Sequence, residues 1–165
     1  MEDREFENEN PEPGILRPDT GRVVAVCVSE KKGTQKTPVV EVRLVADWGI
    51  EGDAHAGRWH RQVSLLARES IQKMIDKGLT LDYGDFGENI VCEGIPLVSL
   101  PIGTRLRVGE TLLEVSQIGK ECVNRCAIYY LAGDCIMPKE GVFARVVEGG
   151  VVRPGDGIII LGFGS

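Results

Sequence analysis

The sequence is poor in aromatic residues, with two tryptophans, three tyrosines and four phenylalanines among 165 residues, and it holds only two histidines, His55 and His60. Few large rings, together with 21 glycines and eight prolines, argue against a handful of long helices and for many short elements joined by tight turns. No apolar stretch approaches the roughly 20 residues that cross a bilayer, and the N-terminus is acidic where a secretory leader is basic and then apolar. The expectation is a cytoplasmic protein with no membrane partner. A basic excess is also lacking. The net charge is −6, and residues 1–19 carry seven acids against two bases, so the remainder is close to neutral and gives no electrostatic ground for a nucleic-acid partner. Three catalytic signatures are missing as well: there is no glycine-rich phosphate loop, no His-Glu-x-x-His helix and no Gly-x-Ser-x-Gly elbow.

What is present divides into residues 1–20, an acidic tail that reads as disordered, and residues 21–165, one domain long enough for a core of its own. Within the domain, Gly21–Val28 and Val39–Ala46 read as strands, the second by the alternation of Val40, Val42 and Leu44 with Glu41 and Arg43, and the pair is expected to form a hairpin. Residues Trp48–Arg61 read as a long, glycine-punctuated loop holding both histidines. A short apolar run, Val63–Ala67, precedes a helix marked by Ile71, Met74 and Ile75 and ended by Gly78. Further strands are expected at Asn89–Cys92, Thr104–Val108, Thr111–Gln117, Val142–Val147 and Gly157–Leu161, with a hairpin turn at Gly109-Glu110 and another turn at Pro154-Gly155-Asp156. The fold class that follows is mainly β: a closed or nearly closed β-barrel with one or two short helices.

Five cysteines (Cys27, Cys92, Cys122, Cys126, Cys135) cannot all pair internally, and in a reducing compartment they read as thiols. The richest segment runs from Gly119 to Gly133. In it Cys122 and Cys126 lie near Lys120 and Arg125, and Asn124 is placed to cap a short helix. Positive neighbours and a helix N-terminus favour thiolate over thiol, which suits a sulfur nucleophile, a persulfide carrier or a soft-metal ligand. Two other readings stand beside it: inert buried thiols, and a structural zinc site completed by Cys135 or a histidine. In the loop, Asp53, His55, His60 and Arg61 are the types that line a phosphate or polar-ligand pocket, or else ordinary solvated loop residues.

At these residues the chain resembles the MOSC domain, named for the C-terminal part of molybdenum cofactor sulfurases. The blocks coincide in order: Gly52-Asp53-Ala54-His55 running to Arg61-Gln62-Val63-Ser64; Gly84-Asp85-Phe86-Gly87-Glu88-Asn89-Ile90; Leu97 to Gly103; and Val108-Gly109-Glu110 leading through Glu114-Val115-Ser116-Gln117 to Cys122. Gly141 to Val146 with Gly149-Gly150, and Pro154-Gly155-Asp156, complete the set, which spans about Gly21 to Leu161.

The resemblance implies a barrel-like fold and a cysteine that holds sulfur as a persulfide for transfer, or ligates molybdenum in the branch that reduces N-hydroxylated compounds. That position falls on Cys122, which would be both the catalytic thiol and the metal ligand. Cys126 is the fallback, because the family's Cys-x-Arg-Cys pattern is one residue wider here. Lys120, Arg125 and Arg61 would lower the thiol pKa or hold cofactor phosphate, while Asp53, His55, His60 and Asn89 would shape the pocket. The implied cofactor is the molybdenum cofactor. Pyridoxal phosphate, attached to the domain only at family level, is not expected, since no pyridoxal-binding lysine motif is recognisable. The chain has no room for the desulfurase domain of the cofactor sulfurases or the extra N-terminal domain of the reductases. A separate sulfur donor (a desulfurase) or electron donor is therefore expected, with molybdoenzymes as acceptors. The activity would be that of a sulfurtransferase, a molybdenum-dependent reductase or a non-catalytic cofactor carrier.

Overall fold

The β-branched run at the head of the domain forms the strand on which the sheet closes. The computed structural model describes residues 20–32, 34–119 and 140–163. In it β1 (Thr20–Val28) is long enough to serve two partners on one edge. Its first residues pair with β11 (Gly157–Phe163) through Thr20↔Ile159 and Arg22↔Gly157, and its last pair with β2 (Thr37–Val39) through Val26↔Val39 and Val28↔Thr37. The other edge takes β6 (Ile90–Glu93). From there the sheet continues through β5 (Val63–Ala67), β9 (Val142–Glu148), β8 (Thr111–Ile118) and β7 (Thr104–Val108) back to β11, closing a seven-stranded barrel. Every barrel pairing is antiparallel except β5 with β6.

That parallel pair explains an apolar run without alternation. Leu65, Ile90 and Cys92 face the barrel core, while Leu66 and Val91 face outward onto a second apolar cluster under α1 (Arg68–Asp76). Strands covered on both sides read as continuous hydrophobic stretches. The helix contributes Ile71 and Met74 to this cluster, and Ile75 sits at its exposed margin. It ends where Gly78 donates its backbone N–H to Ile75. In β1 a bulge between Val23 and Ala25 resets the alternation, so that Val23 and Val26 point into the barrel while Ala25 and Cys27 point towards the helix side.

The expected hairpin of residues 21–28 with 39–46 forms only in part. Its pairing rests on Thr37–Val39; the chain then bends at Val40, which is 85% exposed, and β3 (Val42–Val45) leaves for a separate three-stranded sheet. There β3 lies between β10 (Gly150–Val152) and β4 (Gly49–Ile50). The alternation holds within β3, with Val42 and Leu44 buried and Arg43 and Val45 exposed. The remaining expected strands and the Gly109-Glu110 and Pro154–Asp156 turns fall where the sequence puts them, with a short 3-10 turn at Leu97–Ser99. The α-helix packed on the barrel is α1, and among the described residues no helix is long and apolar enough to cross a membrane. The helix expected after Asn124 and the tail before Thr20 lie outside the described residues.

One close approach fixes the stretch before β6. Gly84 has φ +96°, and a Cβ there would lie 2.0 Å from the Lys36 carbonyl oxygen and 3.4 Å from the Cys27 sulfur. Gly155 has nearly the same backbone (φ +95°) in open space. Gly84→Ala is therefore expected to cost about 2 kcal/mol or more, against about 1 kcal/mol for Gly155→Ala. Urea denaturation of the two variants measures the gap, and equal losses would refute the close contact.

Candidate functional site

The histidine loop is held to the barrel by a carboxylate that never reaches solvent. The Asp53 side chain is 0% exposed; its Oδ1 accepts from Ser29 N at 3.0 Å and from Lys36 Nζ at 2.9 Å, and its Oδ2 accepts from His55 N at 3.0 Å. Burial alone would raise its pKa. The His55 side chain beside it, the Lys36 ammonium and the backbone N–H groups of Ser29 and His55 outweigh that and hold it well below the usual carboxylate range. Lys36, equally buried, also donates to Ser29 Oγ at 3.0 Å and lies 3.0 Å from His55 Nδ1. One residue thus joins the end of β1, the approach to β2 and the loop.

Beyond this knot the loop turns outward around Trp59. Its indole N–H donates to the His55 carbonyl at 2.8 Å, and its ring lies parallel to His55 and edge-on to His60. Two cations converge on the same ring: Lys32 Nζ and Arg61 Cζ each lie 4.8 Å from its centroid. Arg61 also sits 5.7 Å over Phe143, and its Nε is buried without a hydrogen-bond partner. Neither Lys32 nor Arg61 forms an ion pair with a described residue. Cations without a carboxylate partner among the described residues, one of them with an unsatisfied buried donor, suit an anionic ligand.

A second chain of hydrogen bonds leads from the loop to the root of the cysteine-rich segment. His60 Nε2 donates to Gln117 Oε1 at 2.7 Å, Gln117 Nε2 donates to the Gly119 carbonyl at 2.6 Å, and Ser116 donates its hydroxyl to the His60 carbonyl. Gly119 N in turn donates to Gly141 O at 2.6 Å, and Glu140, where the described chain resumes, is held by Lys73 at 3.1 Å.

The structure therefore brings His55, His60 and Arg61 together around Trp59. Asp53 anchors the loop behind them. Asn89 is fully buried; its Oδ1 accepts from Ser64 N and Oγ, and its Nδ2 donates to Cys27 O at 3.0 Å, bracing β1, β5 and β6 where β5 and β6 begin. Lys120, Cys122, Arg125, Cys126 and Cys135 lie outside the described residues. No group of three metal-ligating side chains occurs among the described ones. Sequence reasoning passed over Lys36, Lys32, Trp59 and Gln117. Trp59, between two short histidine spacings in a long loop, carried a signal; a lone lysine before Thr37-Pro38 gave none.

The two described cysteines are sealed. Cys27 and Cys92 are both at 0% exposure. The Cys27 thiol is pushed up to about 12, by burial first and the Glu88 carboxylate next, against the opposing Lys36 ammonium. Burial, then Glu69, pushes Cys92 up likewise. Thiols kept protonated and covered are inert.

The sequence model of the MOSC domain matches residues 52–159. Among solved structures, the chain is similar to the YuaD protein from Bacillus subtilis, with a TM-score of 0.72 at 18% identity over 88% of this chain and 98% of that one. It is also similar to YiiM from Geobacillus stearothermophilus, with a TM-score of 0.63 at 21% identity over 86% of this chain and 75% of the other. YiiM from Escherichia coli gives 0.62 at 22% identity, over 90% and 72% respectively. At these identities the likeness establishes the fold. No curated protein matches the sequence.

Two measurements test this geometry. Lys36→Met leaves a buried carboxylate without its cation and is expected to cost about 3–5 kcal/mol. Asp53 in the unfolded chain ionises near the ordinary 3.8 and in the folded protein well below it, so its stabilisation is complete above that value and drains away as pH falls further. Asp53→Asn should flatten the loss of stability between about pH 5 and pH 3, read from urea midpoints, and an unchanged slope would place the acid sensitivity elsewhere. Separately, native-state alkylation mapped by mass spectrometry should leave Cys27 and Cys92 unlabelled until denaturant is added; labelling of either in the folded protein contradicts the burial described above.

Proposed function

The chain belongs to the MOSC domain family, and on that premise we propose that it binds the molybdenum cofactor and carries sulfur on Cys122 as a persulfide. The family is associated with that cofactor. The observation that carries the reading is the joining of a cationic cluster, without an ion pair to any described residue, to the root of the Cys122 segment through His60, Gln117 and Gly119. Cys122 follows Gly119 by three residues in the sequence.

The residues present fit an anionic heterocyclic cofactor. Arg61, with its unsatisfied Nε, and Lys32 would hold a phosphate, and His55 and His60 flank them on Trp59. When bound, the cofactor supplies a molybdenum atom that accepts a sulfur ligand and changes oxidation state. The chain's own part is binding and sulfur carriage. With Cys27 and Cys92 sealed, the thiols left for chemistry are Cys122, Cys126 and Cys135. Lys120 and Arg125, close in sequence to Cys122, favour its thiolate. That thiolate attacks the terminal sulfur of a persulfide on a separate desulfurase. The donor's S–S bond breaks, the donor cysteine leaves as thiolate, and Cys122 holds the S–SH group with no external oxidant. A molybdoenzyme is the acceptor.

Cys122→Ser is expected to abolish the persulfide mass increment after incubation with a desulfurase and cysteine, and to lower cofactor retention, while Cys126→Ser retains both. Loading and retention unchanged in Cys122→Ser would sink the assignment. Loss confined to Cys126→Ser would move the role to that thiol.

A further inference from the structure

We propose that Lys36 is a positioning residue that locks His55 in the tautomer carrying its proton on Nε2, so that the outer edge of the ring is a fixed hydrogen-bond donor to an anion held at the Trp59 cluster. The proposal rests on the reading of that cluster as an anion site, and deepens it.

An ammonium has three protons, and three acceptors surround Lys36 Nζ: Asp53 Oδ1 at 2.9 Å, Ser29 Oγ at 3.0 Å and His55 Nδ1 at 3.0 Å. Ser29 is available only as an acceptor there, because its own hydroxyl proton goes to the Lys31 carbonyl at 3.0 Å. The Asp53 carboxylate accepts by nature. The remaining Lys36 proton therefore points at His55 Nδ1, and a proton on that nitrogen would face it head-on. The other candidate partner for a protonated Nδ1, Asp53 Oδ2, is 3.8 Å away, beyond hydrogen-bond range. Nδ1 accepts, and the ring proton resides on Nε2.

Orientation is fixed as well as tautomer. The His55 and Trp59 planes are 1° from parallel with centroids 6.4 Å apart, and Lys36 holds the inner nitrogen of the imidazole. The His55 side chain is 18% exposed against 0% for Lys36 and Asp53. The inner edge of the ring is thus sealed, and the imidazole skeleton directs Nε2 away from Lys36. Lys32 and Arg61 converge on the same indole. The ligand class is an anion that accepts a hydrogen bond, either a phosphate oxygen or the sulfur of a persulfide. A neutral N–H held in place contributes direction where the two cations contribute charge.

The tautomer can be read on the unmodified protein. With only two histidines, ¹⁵N-labelled imidazoles give two ring systems, separated by His60→Gln. Long-range ¹H–¹⁵N spectra are expected to show His55 with Nε2 protonated and Nδ1 bare, and Lys36→Met to convert this into a mixture of tautomers. Lys36→Arg, which keeps a donor, should restore the single form. A proton on Nδ1 in the wild type overturns the proposal, whether or not the variants fold. For the ligand, inorganic phosphate and thiosulfate are titrated separately while the His55 Nε2–H resonance is followed; whichever moves it identifies oxygen or sulfur as the acceptor. His55→Gln, which places an amide N–H near the Nε2 position, should keep the affinity for that anion, and His55→Asn should lose about tenfold or more. If neither anion moves the resonance, or both variants bind as the wild type does, the donor role falls. The tautomer result is independent of Cys122, so failure of sulfur carriage and failure of this proposal are separately visible.

Discussion

The candidate site depends on one ion pair removed from water. Lys36 and Asp53 meet at 2.9 Å with both side chains at 0% exposure, and each is satisfied to its last polar atom by Ser29, His55 or the other. Such a pair adds little net stability over a well-packed apolar alternative, because desolvation offsets most of the attraction. What it contributes is uniqueness. Two charges buried together tolerate few other arrangements, and these two come from segments the barrel does not itself hold in register: the approach to β2 and the loop after β4. The loop can therefore be long, rich in glycine and polar, and still present His55, Trp59 and Arg61 in one geometry.

The barrel supplies the frame for this. β1 carries the consequence, since its length gives β11 and β2 successive places on one edge, and Asn89 ties its far end to the starts of β5 and β6. Closure removes free sheet edges from the part of the fold that must stay rigid. Burial keeps Cys27 and Cys92 as packing residues beneath and beside it.

Much of this was legible in the residues. Alternation and turn chemistry marked β7, β8, β9 and β11, and Ile71, Met74 and Gly78 marked the helix, because these signals are local. The break at Val40 was not legible. The pattern from Val40 to Leu44 is continuous, and only tertiary pairing shows that the chain changes sheets there. At the site, the histidines and Arg61 could be picked out by type and placement in a loop. Lys36 could not, since a buried lysine looks in sequence like any surface lysine until its carboxylate is found at a distance along the chain. Asp53 was chosen as a pocket residue by type and Asn89 through the family resemblance, and the structure uses their polar atoms to hold backbone. The cysteine segment's contribution, Cys122 included, lies outside the described residues and remains a reading of sequence and family.

The bond between Gly119 and Gly141 sets the terms on which that segment joins the protein. Gly119 and Gly141 thus meet on one rung of the ladder, and the register of β8 with β9 is set by the described residues on either side of 120–139. The entropy of closing such a span grows only with the logarithm of its length. Length added between Gly119 and Gly141 is thus cheap for the scaffold, whichever residues supply it.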